Sequence, residues 1–208
     1  MNKTAMILVT VLASLAFANQ PTKTKVAPAA AKAAATTKLE ATGKIKWVGY
    51  GVGSKSHAGE LALKSGHIET KGDEIVGGEF VIDMTSLSSP DSDRLVGHLK
   101  SADFFEVEKF KEGNFKITKI ETLKNVKAGE ATHKIHGNLT IKGKTHHESF
   151  NATISKDAGK FTAVASTEIK DRTQYDIVYN SAKFKAASAL GDKLIKDNIK
   201  VDLELATK

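Results

Sequence analysis

The chain is 208 residues long, 40% hydrophobic, 26% charged and 6% aromatic, and it contains no cysteine. That length and apolar content allow one domain with a true core plus a tail, and exclude wholesale disorder. The lack of cysteine excludes a disulfide framework, a thiolate metal site, a cysteine nucleophile and a lipid-modified N-terminal cysteine. The net charge of +7 is unevenly placed: residues 1–38 hold five lysines and no acid, which leaves 26 basic and 24 acidic residues for the remainder. A near-neutral folded part argues against a nucleic-acid partner.

Residues 1–18 have the three parts of a secretory signal peptide in order: Lys3, a mostly apolar stretch from Ala5 to Leu15, and Ala16-Phe17-Ala18 as a small-x-small cleavage pattern. Cleavage is expected after Ala18, with the product exported to the periplasm. Residues 19–38, rich in Ala, Lys, Thr and Pro, lack the large apolar side chains a core needs and read as a flexible linker. Their lysines give the tail a weak attraction to an anionic membrane surface, although a solvated spacer explains them as well.

From residue 39 to residue 208 the pattern becomes one of alternation. Ile199-Lys200-Val201-Asp202-Leu203-Glu204-Leu205 alternates without fault, and Phe80-Val81-Ile82-Asp83-Met84 nearly so. Leu61-Ala62-Leu63, Phe115-Lys116-Ile117 and Phe161-Thr162-Ala163-Val164-Ala165 are shorter cases. Such runs predict half-buried antiparallel strands. Turn signals fall at Lys64-Ser65-Gly66, Lys71-Gly72-Asp73, Gly77-Gly78, Lys142-Gly143-Lys144 and Asp157-Ala158-Gly159. In the segment Gly137–Phe150, Gly143-Lys144 fits a two-residue hairpin turn with Gly first, so that His146 pairs with Ile141. Leu139, Ile141, His146, Glu148 and Phe150 then share the inward face.

Two helical breaks interrupt the strands. One starts at Ser89-Pro90 as N-cap and first helical residue, and carries Leu95, Leu99 and Ala102 on one face. The other is Ala186–Leu190, stopped by Gly191. The fold class predicted is all-β: a lipocalin-like antiparallel β-barrel, in one domain, with one or two short helices. A transmembrane barrel is disfavoured, because it needs strands of about 9–11 residues with apolar groups pointing outward, whereas most runs here look shorter.

Several blocks carry a resemblance: Gly78–Leu87, then Arg94, then His98-Leu99-Lys100-Ser101-Ala102-Asp103-Phe104-Phe105, and later Gly137–Gly143 and Asp171-Arg172-Thr173. Over about residues 43–206 the sequence resembles the YceI-like family of lipocalin-like, polyisoprenoid-binding secreted bacterial proteins. Trp47 with His57-Ala58-Gly59 is similar to the Trp-containing opening of one branch of it. Lys111 stands where the family often has proline. The resemblance implies a barrel whose apolar interior holds a long isoprenoid or fatty chain.

The candidate lining is Phe80, Ile82, Phe115, Ile117, Leu139, Ile141, Phe150, Val201 and Leu203. By composition alone these residues equally fill a solid core; the resemblance implies a cavity. His146, Glu148 and Arg172 are candidates for contact with a polar head group. Arg172 is also placed to form a surface ion pair with Asp171 or Asp176. An inward Glu148 requires a partner. The seven histidines show no HExxH and no helical i, i+4 pair; His133 and His136, like His146 and His147, point apart on a strand, and no metal or other cofactor is expected. The lack of G-x-S-x-G and of a P-loop argues against an enzyme. The expected function is to bind a lipid, as a carrier or a sequestering protein, with a stress-related role among the family's implied uses; a lipid-modifying enzyme using the same cavity is the alternative. No sequence signal fixes an oligomeric state.

Overall fold

A computed structural model describes residues 35–208. The expected signal peptide and residues 19–34 of the expected linker lie outside the described residues. Eight strands follow one another round a closed barrel: β1 (Thr37–Gly51), β2 (Ser56–Lys71), β3 (Glu74–Ser88), β4 (Glu112–Thr122), β5 (His133–Ile141), β6 (Lys144–Asp157), β7 (Lys160–Ile169) and β8 (Ile195–Thr207). Each pairs antiparallel with the next, and β8 returns to β1, so the sheet has no free end strand. β1 begins at Thr37, two residues before the expected domain boundary.

The strands are longer than the alternating runs predict, from 9 residues in β5 to 16 in β2. Two expected turns lie inside strands. At Lys64-Ser65-Gly66 the register of β2 slips between Leu63 and Ser65, a bulge rather than a turn. Gly66 lies under the Phe80 ring, where a Cβ would sit 2.6 Å from Cδ1, and a Cβ on Gly78 would sit 2.7 Å from His67 O. These glycines serve close approach in a curved sheet.

Strand length therefore does not separate this barrel from a transmembrane one; the facing of its side chains does. Apolar residues such as Ile45, Phe80, Ile135 and Phe161 are buried inside. The outer face carries ion pairs such as Lys46–Glu204 at 2.9 Å and Lys200–Asp202 at 3.0 Å. That is the reverse of a lipid-facing barrel surface. No helix among the described residues is long and apolar enough to cross a membrane.

An up-and-down meander places alternate connections at opposite ends. At the lower end lie the β2–β3, β4–β5 and β6–β7 connections. At the upper end the β1–β2 and β5–β6 turns are joined by two long connections that fold over the mouth. The first holds helix α1 (Asp93–Lys100). Its N-cap is Ser92, whose side chain accepts from Leu95 N at 3.2 Å, one turn after the expected Ser89. Ser89 Oγ instead donates to Ala58 O at 2.6 Å, which ties the lead-in to β2. The second connection holds a 3-10 turn at Arg172–Tyr175, helix α2 (Ala187–Leu190) and a further 3-10 turn at Gly191–Lys193.

Candidate ligand-binding site

Hydrophobic residues inside the barrel gather in two groups. Leu87, Leu99, Phe104, Ile141, Tyr175 and Ile177 are buried together at the upper end. Ala41, Ile68, Phe80 and Phe161 are buried together at the lower end. Between and alongside these groups lies a cavity of about 590 Å³, within the size range of small-molecule sites. The apolar faces thus pack a core at each end and line a space between.

All nine candidate lining residues border this cavity: Phe80 and Ile82 from β3, Phe115 and Ile117 from β4, Leu139 and Ile141 from β5, Phe150 from β6, Val201 and Leu203 from β8. The strands that carry them are not evenly joined. β6 and β7 pair only from Thr153–Val164 to Asp157–Lys160. Beyond Thr153 the two strands part, so that Phe150 and Ala152 on one side, and Ala165 and Thr167 on the other, flank the cavity without a ladder between them.

The hairpin turn is Lys142-Gly143, not Gly143-Lys144: Ile141 pairs with Lys144, and Leu139 with His146. Both turn residues have positive φ, 49° at Lys142 and 70° at Gly143, as a primed two-residue turn requires. Lys142 takes that unusual conformation with its ammonium tied down, Nζ donating to Asp176 O at 2.9 Å. The register moves by one residue on each strand, so the faces are kept: Glu148 and Phe150 still border the cavity.

Glu148 accepts a hydrogen bond from Tyr175 Oη at 2.8 Å, the partner its inward placement requires. Burial, together with that bond and the Glu148 charge, raises the Tyr175 phenol well above its ordinary value. His146 Nε2 donates to Gln174 O at 2.9 Å, and its ring packs edge-on to Tyr175, with centroids 5.1 Å apart. Both strand residues therefore meet the 172–175 turn.

Arg172 differs from its expected place. It is only 2% exposed, not at the surface. Nε donates to Lys196 O at 3.1 Å and Nη1 to Ile177 O at 2.6 Å. Nη2 donates to Tyr179 O at 2.9 Å and Ile195 O at 3.2 Å, with Asp197 Oδ1 at 3.3 Å. Four of the five donors of a guanidinium are thereby aimed at main-chain carbonyls. Arg172 borders the cavity, but its contacts clamp the second cap to the start of β8. Burial pulls its pKa down, and Asp197 and Asp171 oppose this. The expected pair with Asp171 or Asp176 is not made; Asp171 pairs with Lys183 and Asp176 with Lys142.

The contacts that join the two long connections over the mouth are not legible in the sequence, although His98 reads there as a packing histidine. His98 packs edge-on against Phe104 and Tyr179, with ring centroids at 5.0 and 4.8 Å, and so bridges the first cap to the second. Tyr175 is 1% exposed. Trp47 borders the cavity, and its buried Nε1 has no hydrogen-bond partner among the described residues. The histidine pairs diverge as expected, yet the sheet brings one of each together on the outer face. His136 and His147 stack at 5.8 Å, with Ser149 Oγ 2.7 Å from His136 Nδ1 and 3.3 Å from His147 Nε2. Adjacency across β5–β6 is invisible in either strand alone.

A closed antiparallel barrel with a charged exterior and an apolar interior is lipocalin-like. The chain belongs to the YceI-like domain family, whose model matches residues 25–207. Among solved structures it is similar to BcnA of Burkholderia cenocepacia, at TM-score 0.60 and 18% identity over 80% of this chain and 96% of that one. It is also similar to a polyisoprenoid binding domain from Saccharophagus degradans, at TM-score 0.61 and 12% identity over 83% of this chain and 99% of that one. A UPF0312 protein of Staphylococcus aureus is 32% identical over 100 residues, 45% of this chain and 53% of the relative. The match thus spans about half the length of that curated relative.

Proposed function

We propose that this protein is an exported periplasmic binding protein that holds a long-chain isoprenoid or similar amphiphilic lipid in the barrel, as a carrier or a sequestering protein. The observation that carries this reading is the apolar cavity of about 590 Å³ inside a barrel with a charged exterior. A chain gains roughly 0.8 kcal/mol per buried methylene, so an apolar lining binds a long tail without a polar contact for each unit. The isoprenoid class comes from the Saccharophagus degradans domain, which shares the fold and is described as polyisoprenoid binding. The inward Glu148 and the Tyr175 phenol border the cavity where a polar head group would meet the upper wall, whereas His146, a head-group candidate by sequence, is not among the lining residues and supports Tyr175 from behind. Binding is preferred to turnover because Glu148 and Tyr175 are bonded to each other, with the phenol held in its neutral form.

Mass spectrometry of an organic extract of the purified protein tests the reading. An intact long-chain lipid is expected from the parent, and none from Phe150→Asp, which puts an unpaired carboxylate against the apolar wall at a cost of several kcal/mol. Lipid retained by a stable Phe150→Asp protein would refute the placement of the tail. A mixture of substrate and cleaved product would favour the enzyme reading. Export is checked by N-terminal sequencing of periplasmic protein, which should begin at Asn19.

A further inference from the structure

The second cap carries an apolar side chain out into water. Phe184 is 63% exposed, more than any other large hydrophobic among the described residues. It sits on a braced turn. Phe184 N and Lys185 N donate to Ser181 O at 3.2 and 3.1 Å. Ser181 is fully buried, donates from Oγ to Asp197 Oδ2 at 3.1 Å and accepts from Lys183 N at 3.2 Å. Asp197 in turn faces Arg172. A buried polar network thus holds Phe184 outward.

The surroundings are cationic. Residues 170–196 hold six basic and three acidic residues. Asp171 is paired with Lys183, and Asp192 with Lys55 at 3.5 Å, whereas Lys170, Lys185, Lys193 and Lys196 make no ion pair among the described residues. The Lys55–Asp192 pair also ties the β1–β2 turn to this cap, and that turn presents Val52 at 41% exposed. The cavity borders the same rim at Gly51, Lys55, Asn180, Lys193 and Lys196. The first cap, residues 89–111, is different: it has five acids against four bases, and its Phe104 is buried.

We propose that this rim docks on an anionic lipid bilayer, with Phe184 inserted among the head groups and Lys170, Lys185, Lys193 and Lys196 over the anionic surface. An exposed aromatic and a cluster of unpaired lysines are the two signals that together give stable yet reversible attachment, where either alone is marginal. Docking by this cap brings the mouth of the cavity against the membrane, the source or destination of a lipid ligand. The purpose assigned to docking rests on the lipid-binding reading above; the docking itself is measured separately.

The test uses the full chain and vesicles of phosphatidylglycerol mixed with phosphatidylcholine, against phosphatidylcholine alone. The parent is expected to sediment with the anionic vesicles at low salt and to be released at high salt. Phe184→Ser, and Lys170→Glu combined with Lys185→Glu, are expected to weaken this binding by at least about tenfold. All these side chains are outside the packed core, so melting curves should be unchanged. In Phe184→Trp, emission corrected for Trp47 should shift to the blue with anionic vesicles and be quenched by lipids brominated near the head group. Equal vesicle binding by parent and variants, as attachment through the basic N-terminal tail would produce, overturns the proposal, as does the absence of a blue shift. Lipid extraction from vesicle-free protein tests the cavity reading independently: variants that lose docking but keep their lipid support both, and a parent that docks through Phe184 but holds no lipid refutes only the cavity reading.

Discussion

At the lower end of the barrel the strands close the interior themselves. Ala41, Ile68, Phe80 and Phe161 are buried there, with Leu63, Ile75, Phe115 and Leu205 packed around them. At the upper end the strand residues Leu87 and Ile141 meet side chains from the two long connections, among them Leu99, Phe104, Tyr175 and Ile177. Those connections are then fixed by directional polar contacts: Arg172 to four carbonyls, Tyr175 to Glu148, Lys142 to Asp176 O. An apolar seal built on ladder-bonded strands opens only with the ladder. A cap held by directional bonds opens when those bonds break, with the barrel intact. On the lipid-binding reading proposed above, the upper end is the one through which a ligand would exchange.

The strongest way to break this contrast is Arg172→Ala. It leaves buried carbonyls and the Asp197 carboxylate without their cation, which should cost about 3–5 kcal/mol in urea unfolding. Amide exchange should rise first in residues 177–195, before β1 and β2. Arg172→Lys should recover little, because an ammonium cannot span the same carbonyls. A loss under about 1 kcal/mol would mean that the clamp does not hold the cap.

Phe80→Ala tests the other end. Losing a buried ring should cost about 3 kcal/mol, yet the mouth should stay closed and retention of a hydrocarbon probe should persist in the enlarged space. If Phe80→Ala and Arg172→Ala release the probe equally fast, the two ends are not separable.

The same contrast explains what was legible in the sequence. Lower-end residues lie on strands, where period-two alternation marks the inward face, so Phe80, Phe115, Ile117 and Leu203 could be placed by counting. Their faces survived even an error in the hairpin, because moving the turn from Gly143-Lys144 to Lys142-Gly143 preserves parity. The upper end depends on contacts between segments remote in the chain. Arg172 lies in a polar stretch, Asp171-Arg172-Thr173-Gln174, that has the composition of a surface turn. Only the fold brings the carbonyls of Ile177, Tyr179, Ile195 and Lys196 round its guanidinium. The alternating runs understate the strand lengths for a related reason: Gly66 and Gly78 have the composition of turns, and only the fold sets the Phe80 ring and His67 O against them.

Asp171 makes the cap sensitive to acid. Burial works against its charged form, but hydrogen bonds from Lys183 and Thr173 outweigh this and hold its pKa at about 2. A carboxyl at about 2, against an ordinary 3.8, contributes at most about 2.4 kcal/mol, and less where Lys183 is open to solvent. The folded value lies below the unfolded one, so the contribution is full above about pH 4 and is lost as pH falls toward 2. Asp171→Asn should lower stability at neutral pH and flatten the acid limb between pH 4 and 2. An unchanged acid limb would place the acid-labile contacts elsewhere.

The smallest effect expected at neutral pH is that of Tyr175→Phe. The ring and its packing against Ile141 and Phe104 remain, and only the bond to Glu148 is removed, which costs about 1 kcal/mol. Alkaline pH makes the change visible. The folded phenol titrates above its ordinary value of 10.0 because it is buried and bonded to a carboxylate. Above about pH 10 the unfolded chain releases this proton while the folded one keeps it, so stability falls as pH rises, by up to about 1.4 kcal/mol per pH unit. Lysines titrate in the same range in both proteins, so the difference between the parent and Tyr175→Phe isolates the tyrosine. The parent should lose stability faster above pH 10, and the two curves should converge or cross. Parallel curves would mean that the Tyr175 hydroxyl reaches water when the cap is closed, and that the upper seal is wetter than the lower one at the point where a head group would sit.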